Sequence, residues 1–174
     1  MAHIASLFKI HAPRHDAEGA DAVDVEATSS TVWKRWKDSL SEVERCALMH
    51  WRGGAVAAPA RQQRHSSRST DCPYCGEAMA SARHLWADCS RFADDRARLA
   101  AEFGLEAGWW AQQPRVTAKS GWITDKAALS PGGRGKAMVA ANALGIIVVR
   151  ACWAHHEVVA AVPSRVAQRI GRPP

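Results

Sequence analysis

The sequence predicts a mainly α fold, with three to five helices around one small cysteine–histidine turn, an irregular N-terminal arm and little or no sheet. Two observations predict it. Apolar residues recur at intervals of three and four in several long segments, and a compact group of Cys and His residues lies between two of them. The length of 174 residues predicts one domain.

Charge and composition divide the chain into an acidic arm, residues 1–30, a helical domain, residues 31–162, and a basic tail, residues 163–174. Residues 1–30 carry two cations and five acids, whereas residues 114–174 carry nine cations and two acids. A basic C-terminal third favours RNA or DNA as the partner over a membrane or a small-molecule substrate.

The first helical segment runs from Thr31 to the Gly53–Gly54 pair. Apolar residues with one-face spacing begin at Trp33 and end at Trp51. Ser39/Glu42 and Ser41/Glu44 both have capping-box spacing, which predicts a joint near residues 38–41. We expect one buried face that includes Trp33, Trp36, Leu40 and Val43.

Two further helices are predicted after a basic loop at residues 55–71. The second helix carries Phe92, Leu99 and Phe103 and stops at Gly104. Residues 105–133 are predicted to be irregular, with three tryptophans that cover the core. The third helix runs from Arg134 to about Val162, before Pro163, and its stretch from Met138 to Val149 is predicted to lie in the core. The tryptophans are Trp109, Trp110 and Trp122.

Solubility and an intracellular location, nuclear or cytoplasmic, are also predicted. The apolar run at residues 137–149 is too short to span a membrane. Five cysteines, an odd number with no signal peptide before them, indicate a reducing compartment rather than a disulfide framework.

The strongest chemical signal is the pattern C-x2-C-x8-H-x4-C, formed by Cys72, Cys75, His84 and Cys89. Two thiolates two residues apart can be presented to one ion by a tight turn, and Gly76 permits the bend that follows. Three sulfurs and one imidazole predict one structural Zn²⁺ in a closed site, a CCHC zinc knuckle. The alternatives are incidental core cysteines and a redox Cys-x-x-Cys, which would need a preceding strand that is absent here.

The stretch CPYCGEAMASARHLWADCSRFADDRARL, residues 72–99, resembles the C-terminal zinc knuckle of non-LTR retrotransposon reverse transcriptases. Ser90 stands where that family usually has a proline. The resemblance implies a zinc-binding, nucleic-acid-binding module downstream of a polymerase. The matching positions are Cys72, Pro73, Cys75, Gly76, His84, Leu85, Cys89, Arg91, Phe92 and Arg96.

A second stretch, GADAVDVEA at residues 19–27, resembles the last motif of the ribonuclease H fold of the same elements, with Asp24 as the matching carboxylate. The Lys9-Ile10-His11 stretch lies where that family often has Lys-x-His. Ala20 and Val23 depart from the pattern, and an acidic solvated loop is the alternative. Ribonuclease H needs several carboxylates for two magnesium ions, so the chain is predicted to be non-catalytic, a truncated copy or a reading frame within such an element.

Candidate nucleic-acid contacts fall into two kinds. Tyr74 and Trp86 could stack an unpaired base, or pack on the zinc turn instead. Phosphate contacts are expected from cations in segments with few acids, namely Arg61, Arg64, Arg68, Arg134, Lys136, Arg165, Arg169 and Arg172.

The sequence also allows functions other than nucleic-acid binding. A zinc-stabilised protein-interaction domain is the main alternative, and a nuclease using Asp24, Asp94 and Asp95 is remote. The Phe92–Asp95 stretch spells a polymerase box but is predicted to lie on a helix, where its acids favour the first turn. Residues 132–136 lack phosphate-loop spacing. The i, i+4 pairs Cys46/His50 and Cys152/His156 are interpreted as core cysteines and edge histidines rather than as a second site.

Overall fold

The computed structural model describes residues 23, 24, 27, 29–54, 56, 58, 69–124 and 131–161. Within these ranges the chain is mainly helical and no described residue lies in a strand, which confirms the predicted fold class. Six α-helices are described, against the three to five predicted, because residues 105–124 contain two short ones. The elements are α1 Thr31–Ser39, α2 Glu42–Arg52, a π-helical turn His84–Asp88, a 3₁₀ turn Ser90–Phe92, α3 Ala93–Phe103, α4 Trp109–Gln112, α5 Arg115–Ser120 and α6 Pro131–Ala161.

The first helical segment consists of two helices, α1 and α2, and the joint between them lies where the capping-box spacing predicted it. Leu40 is extended between them, with ψ 140°, and Ser41 caps α2. The Ser41 hydroxyl accepts from the Glu44 N–H, and the Glu44 carboxylate accepts from the Ser41 N–H at 2.9 Å. Ser39 instead donates its hydroxyl to the Trp36 carbonyl. Of the two candidate boxes, the structure uses the second.

This break changes which residues are buried. Trp33 and Leu40 are buried and Trp36 is half-buried, but Val43 is 55% exposed. The prediction for Val43 was therefore wrong. A single continuous helix would keep the stripe on one face, whereas the extended Leu40 resets the rotation of α2 and turns Val43 to the surface.

Helix α6 is the centre of the fold. It packs against α1, α2, α3, α5 and the π-helical turn. Ala137 to Asn142 are all buried and Met138 to Val149 lie in the core, apart from the half-buried Ala143 and Ile147, which confirms that prediction. Asn142, the polar residue of this stretch, donates to the carbonyls of Gly121 and Met138.

The α6 window Gly133–His155 is long and apolar enough to cross a membrane, and 67% of it is buried within the protein. A core helix has the same length and composition. Close packing explains its small residues: a Cβ at Gly145 would lie 2.4 Å from the Trp51 indole ring.

Tryptophans cover the core where the sequence placed them. Trp109 and Trp110 are buried, and Trp122 is half-buried. The Arg52 guanidinium lies over two rings, 3.9 Å from the Trp122 centroid and 4.9 Å from that of Trp33. Burial lowers the pKa of Arg52 to about 10, so the cation–π contacts partly replace the water that this guanidinium has lost.

Candidate metal centre

Cys72 and Cys75 lie on a tight turn closed by backbone hydrogen bonds. The Gly76 N–H donates to the Cys72 carbonyl at 2.9 Å, and the Cys72 N–H donates to the Glu77 carbonyl at 2.7 Å. Gly76 has φ +80°, a conformation that a side chain would strain. The turn therefore forms as the Cys-x-x-Cys-Gly pattern predicted.

His84 and Cys89 lie at the two ends of the π-helical turn. In an α-helix, residues five apart point about 140° away from each other around the axis. Here the chain widens, and the Cys89 N–H donates to the His84 carbonyl, five residues back, at 2.7 Å. This i→i+5 bond brings the two side chains to one side, so the H-x4-C spacing becomes usable for one ion.

The four side chains meet. Their ligand atoms all lie within 4.8 Å of one another. The Cys72 and Cys89 Sγ atoms are 3.7 Å apart, and the Cys75 Sγ is 3.3 Å from the His84 Nε2. Tetrahedral bonds of about 2.3 Å to sulfur separate two sulfurs by about 3.8 Å. The cluster could therefore hold a metal ion, and it is the only such group among the described residues.

Glu77 was missed by the sequence analysis. Its Oε2 lies 3.1 Å from the His84 Nδ1, on the opposite side of the ring from Nε2. A carboxylate that accepts from Nδ1–H holds Nε2 as the free lone pair that a metal needs. The only signal in the sequence was an acidic residue two positions after the second cysteine. Acidic residues are so common on protein surfaces that this position alone does not indicate a contact with the histidine.

Arg96 fastens the π-helical turn to α3. Its guanidinium donates to the Cys89 carbonyl at 2.8 Å and to the Trp86 carbonyl at 3.4 Å. These two oxygens lie where the turn leaves regular helical bonding, so the arginine satisfies groups that the irregular backbone exposes. This is the position at which the resemblance placed an arginine.

Burial and charge set the state of the thiols. Burial raises the pKa of the Cys89 thiol to about 12, whereas a hydrogen bond from the Glu77 backbone lowers the pKa of the Cys75 thiol. A buried thiol with a raised pKa is neutral near pH 7 unless a cation stabilises its thiolate. Metal binding at this cluster would therefore release protons.

The predicted base-stacking residues are not open platforms. Trp86 is completely buried, donates its indole N–H to the Ala141 carbonyl at 3.1 Å, and packs among Trp51, Trp109 and Trp110. The stacking prediction for Trp86 was wrong, because the core takes up both faces of its ring. Tyr74 is half-buried and edge-on to Phe92 and His155, with its hydroxyl beneath the surface, as the packing alternative had it.

Of the cations predicted to contact phosphates, the structure describes two, and their surroundings differ. Lys136 is exposed, but Arg134 forms an ion pair at 3.1 Å with the buried Asp24. The guanidinium of Arg134 therefore already has an anionic partner within the fold. The other predicted cations lie outside the described residues: Arg61, Arg64, Arg68, Arg165, Arg169 and Arg172.

Asp24 has a structural role here. Its carboxylate meets the Arg134 guanidinium and accepts from the Ala27 N–H at 3.3 Å, and its own N–H donates to the Ile123 carbonyl. These contacts join the segment before α1 to the start of α6. Asp94 and Asp95 lie in the first turn of α3, as predicted.

Among the described residues, Cys46, His50 and Cys152 form no group that could hold a metal ion. Cys46 is exposed, whereas Cys152 is buried beside Tyr74. His50 lies edge-on to Trp153, with the ring centroids 5.3 Å apart; the side chain of His156 lies outside the described residues.

Comparison of the chain with protein-family models, with curated proteins and with solved structures finds no match.

Proposed function

We propose that this chain is a zinc-stabilised, nucleic-acid-binding module, non-catalytic on its own, from the C-terminal part of a non-LTR retrotransposon reverse transcriptase. The observation that carries the proposal is the Cys72/Cys75/His84/Cys89 cluster, whose ligand atoms lie within 4.8 Å of one another. The resemblance of residues 72–99 to the zinc knuckle of that family supports the origin.

Zinc is the metal that suits this ligand set. Soft thiolates with one imidazole, in tetrahedral arrangement, favour Zn²⁺ over the harder Mg²⁺ and Ca²⁺, which prefer oxygen. Four protein ligands leave no open position for a substrate or an activated water, so the ion would act structurally. It would join the Cys72–Cys75 turn to the π-helical turn, and thereby to α3 and α6.

Nucleic-acid binding is supported by charge. The chain has a net charge of +6, and residues 114–174 carry nine cations and two acids. The Asp24 carboxylate is buried in an ion pair with the Arg134 guanidinium, which supports a structural role for this residue.

Two measurements test this proposal. Elemental analysis of the purified protein should find one zinc per chain, and a folded sample without zinc would contradict it. Fluorescence anisotropy with labelled RNA and DNA oligonucleotides should detect micromolar binding that weakens steeply as salt is raised. A zinc-loaded, folded chain without salt-sensitive binding would end the nucleic-acid proposal.

A protein-interaction domain is the second candidate, favoured by one surface of α2. Val43, Cys46 and Met49, three residues apart along that helix, are all exposed. Apolar side chains at such spacing fit a helical partner. This candidate takes precedence if zinc is bound and nucleic acid is not.

A further inference from the structure

Most arginines of the described fold already have structural partners. Arg83 donates to the carbonyls of Gln113 and Ala111, and Arg96 to those of Trp86 and Cys89. The others of this kind are Arg52 and Arg91 over aromatic rings, Arg98 in ion pairs with Asp95 and Glu102, and Arg134 with Asp24. Each of these cations already has a partner within the fold, which an external anion would have to displace.

Helix α1 concentrates cations that have no such partner among the described residues. Lys34, Arg35 and Lys37 are all exposed, and in the part of the chain that the structure describes none of their side chains forms an ion pair or a hydrogen bond. Asp38 is the only acid of the helix, which leaves it a net charge of +2. We call the three cations the α1 basic face.

Lys136 extends this face from a second element. The preceding Gly135 touches the start of α1 so closely that a Cβ there would lie 2.7 Å from the Ser30 hydroxyl oxygen and 3.4 Å from the Val32 Cβ. Lys136 itself is exposed. Lys136 therefore follows a glycine that touches the start of α1, and the four unpaired cations belong to two helices that pack together.

We propose that the α1 basic face, together with Lys136, is where this protein contacts the phosphate backbone of RNA or DNA; this rests on the nucleic-acid-binding function proposed above. Unpaired, solvated Lys and Arg side chains on a rigid helix release counterions when they meet phosphates, and ordering them costs the fold no existing contact. Arginines that already bond to carbonyls would have to break those bonds first.

The chemistry of α1 favours phosphates over a lipid surface. A helix that lies on a membrane presents large apolar side chains to the lipid. The two tryptophans of α1 turn inward instead: Trp33 is 6% exposed and packs with Arg52, and Trp36 is half-buried against the core.

The metal centre lies elsewhere on α6. Tyr74, within the Cys72–Cys75 turn, contacts His155 and lies beside Cys152, whereas Lys136 is sixteen residues earlier on the same helix. At 1.5 Å per residue, that is about 24 Å along the axis. A phosphate at Lys136 would therefore not touch the metal ligands, and the metal would support binding only by holding the fold.

Two triple variants of equal charge test the proposal. Lys34→Gln, Arg35→Gln and Lys37→Gln together remove the α1 basic face. Arg45→Gln, Arg98→Gln and Arg150→Gln together remove three exposed charges from α2, α3 and the outer side of α6. Each zinc-loaded full-length protein is titrated against labelled single-stranded RNA and duplex DNA from 50 to 300 mM salt, with circular dichroism and zinc content as controls for folding.

The α1 triple variant should bind at least tenfold more weakly than wild type at 100 mM salt, and its salt slope should fall by about two to three, since each lost phosphate contact removes about 0.7–0.9 from the slope. The control triple should lose less than threefold. Adding Lys136→Gln to the α1 triple should weaken binding further.

Three outcomes would overturn the inference. Equal losses in the two triples would mean that net charge alone matters, and an unchanged α1 triple would place the contacts elsewhere; in both cases wild-type binding would leave the proposed function intact. If wild type bound anionic lipid vesicles but neither RNA nor DNA, both proposals would fall.

Discussion

At the scale of single residues, the metal centre depends on a contact outside the four ligands. The Glu77 carboxylate sets the tautomer of His84, because only an Nδ1–H can donate to it while Nε2 faces the sulfurs. Glu77 is 67% exposed, so water competes for its carboxylate and its effect on the metal should be moderate.

Replacing Glu77 tests this role. Glu77→Ala should weaken zinc binding by about tenfold, the lower end of the range for such outer contacts, and Glu77→Gln should lose less because its amide oxygen can still accept. Competition with a chelating dye measures the affinity. Glu106→Ala, which removes an exposed acid outside the cluster, is the matched control. An unchanged zinc affinity in Glu77→Ala would show that His84 binds the metal without the contact to Glu77.

Gly145 is a residue whose side chain is excluded by packing. A Cβ there would enter the Trp51 ring at 2.4 Å, and Trp51 is completely buried. Gly145→Ala should lower the free energy of unfolding by roughly 1–3 kcal/mol, although alanine gains about 1 kcal/mol of helix propensity. Urea unfolding measures it. Gly108→Ala, where the nearest atom would be the flexible Gln112 amide at 3.4 Å, should change stability much less.

At the scale of elements, the α1–α2 joint is decided by hydrogen bonds. Ser41 and Glu44 satisfy each other's backbone N–H groups, and the two hydrogen bonds from Ser41 hold the pKa of the Glu44 carboxyl below its usual range. Because that pKa is lowered in the folded state, the contribution to stability is present above the ordinary pKa of glutamate and is lost as the pH falls through the lowered one.

The two candidate caps give a matched pair of variants. Ser41→Ala should destabilise the protein by about 1 kcal/mol, since it leaves an N-terminal N–H of α2 without its cap. Ser39→Ala should be nearly neutral, because the Ser39 hydroxyl bonds only to the Trp36 carbonyl in an exposed last turn. Urea unfolding at neutral pH compares the two. Equal effects would mean that the joint does not depend on this capping box.

At the scale of the whole molecule, α6 connects the π-helical turn of the metal centre to α1, α2, α3 and α5. The π-helical turn between His84 and Cys89 carries Trp86 into the core, where its ring centroid lies 5.1 Å from that of Trp110 and 6.4 Å from that of Trp51. The geometry of the ligands and the packing of the core are therefore set by the same turn, and metal binding should be coupled to folding.

Removal of the metal tests this coupling. A chelator should lower the Tm and shift tryptophan emission to the red, because loss of the ion frees the turn that holds Trp86 in the core. Cys89→Ser should reproduce this state. Cys46→Ser, which changes an exposed thiol outside the cluster, should behave like wild type. An unchanged Tm and emission after complete removal of zinc would show that the core forms without it.

The sequence by itself determined the features that depend on local order. The Cys72–Cys75 turn, the stop of α3 at Gly104 with φ +66°, and the burial of Met138 to Val149 follow from glycine conformation, ligand spacing and apolar runs, each of which acts over a few residues. The helical fold class and the four potential metal ligands were also predictable, because apolar periodicity and ligand spacing are local features of the sequence.

Only the tertiary structure decided which of several equivalent residues perform a role. Two capping boxes had the same spacing. The sequence was equally consistent with Trp86 on the surface, where it could stack a base. Arg134 was one of many basic residues. Contacts between residues far apart in the chain settle the last two cases: Trp86 with Ala141 and Arg134 with Asp24. Such contacts leave no periodic signal, because the distance along the chain between partners is arbitrary.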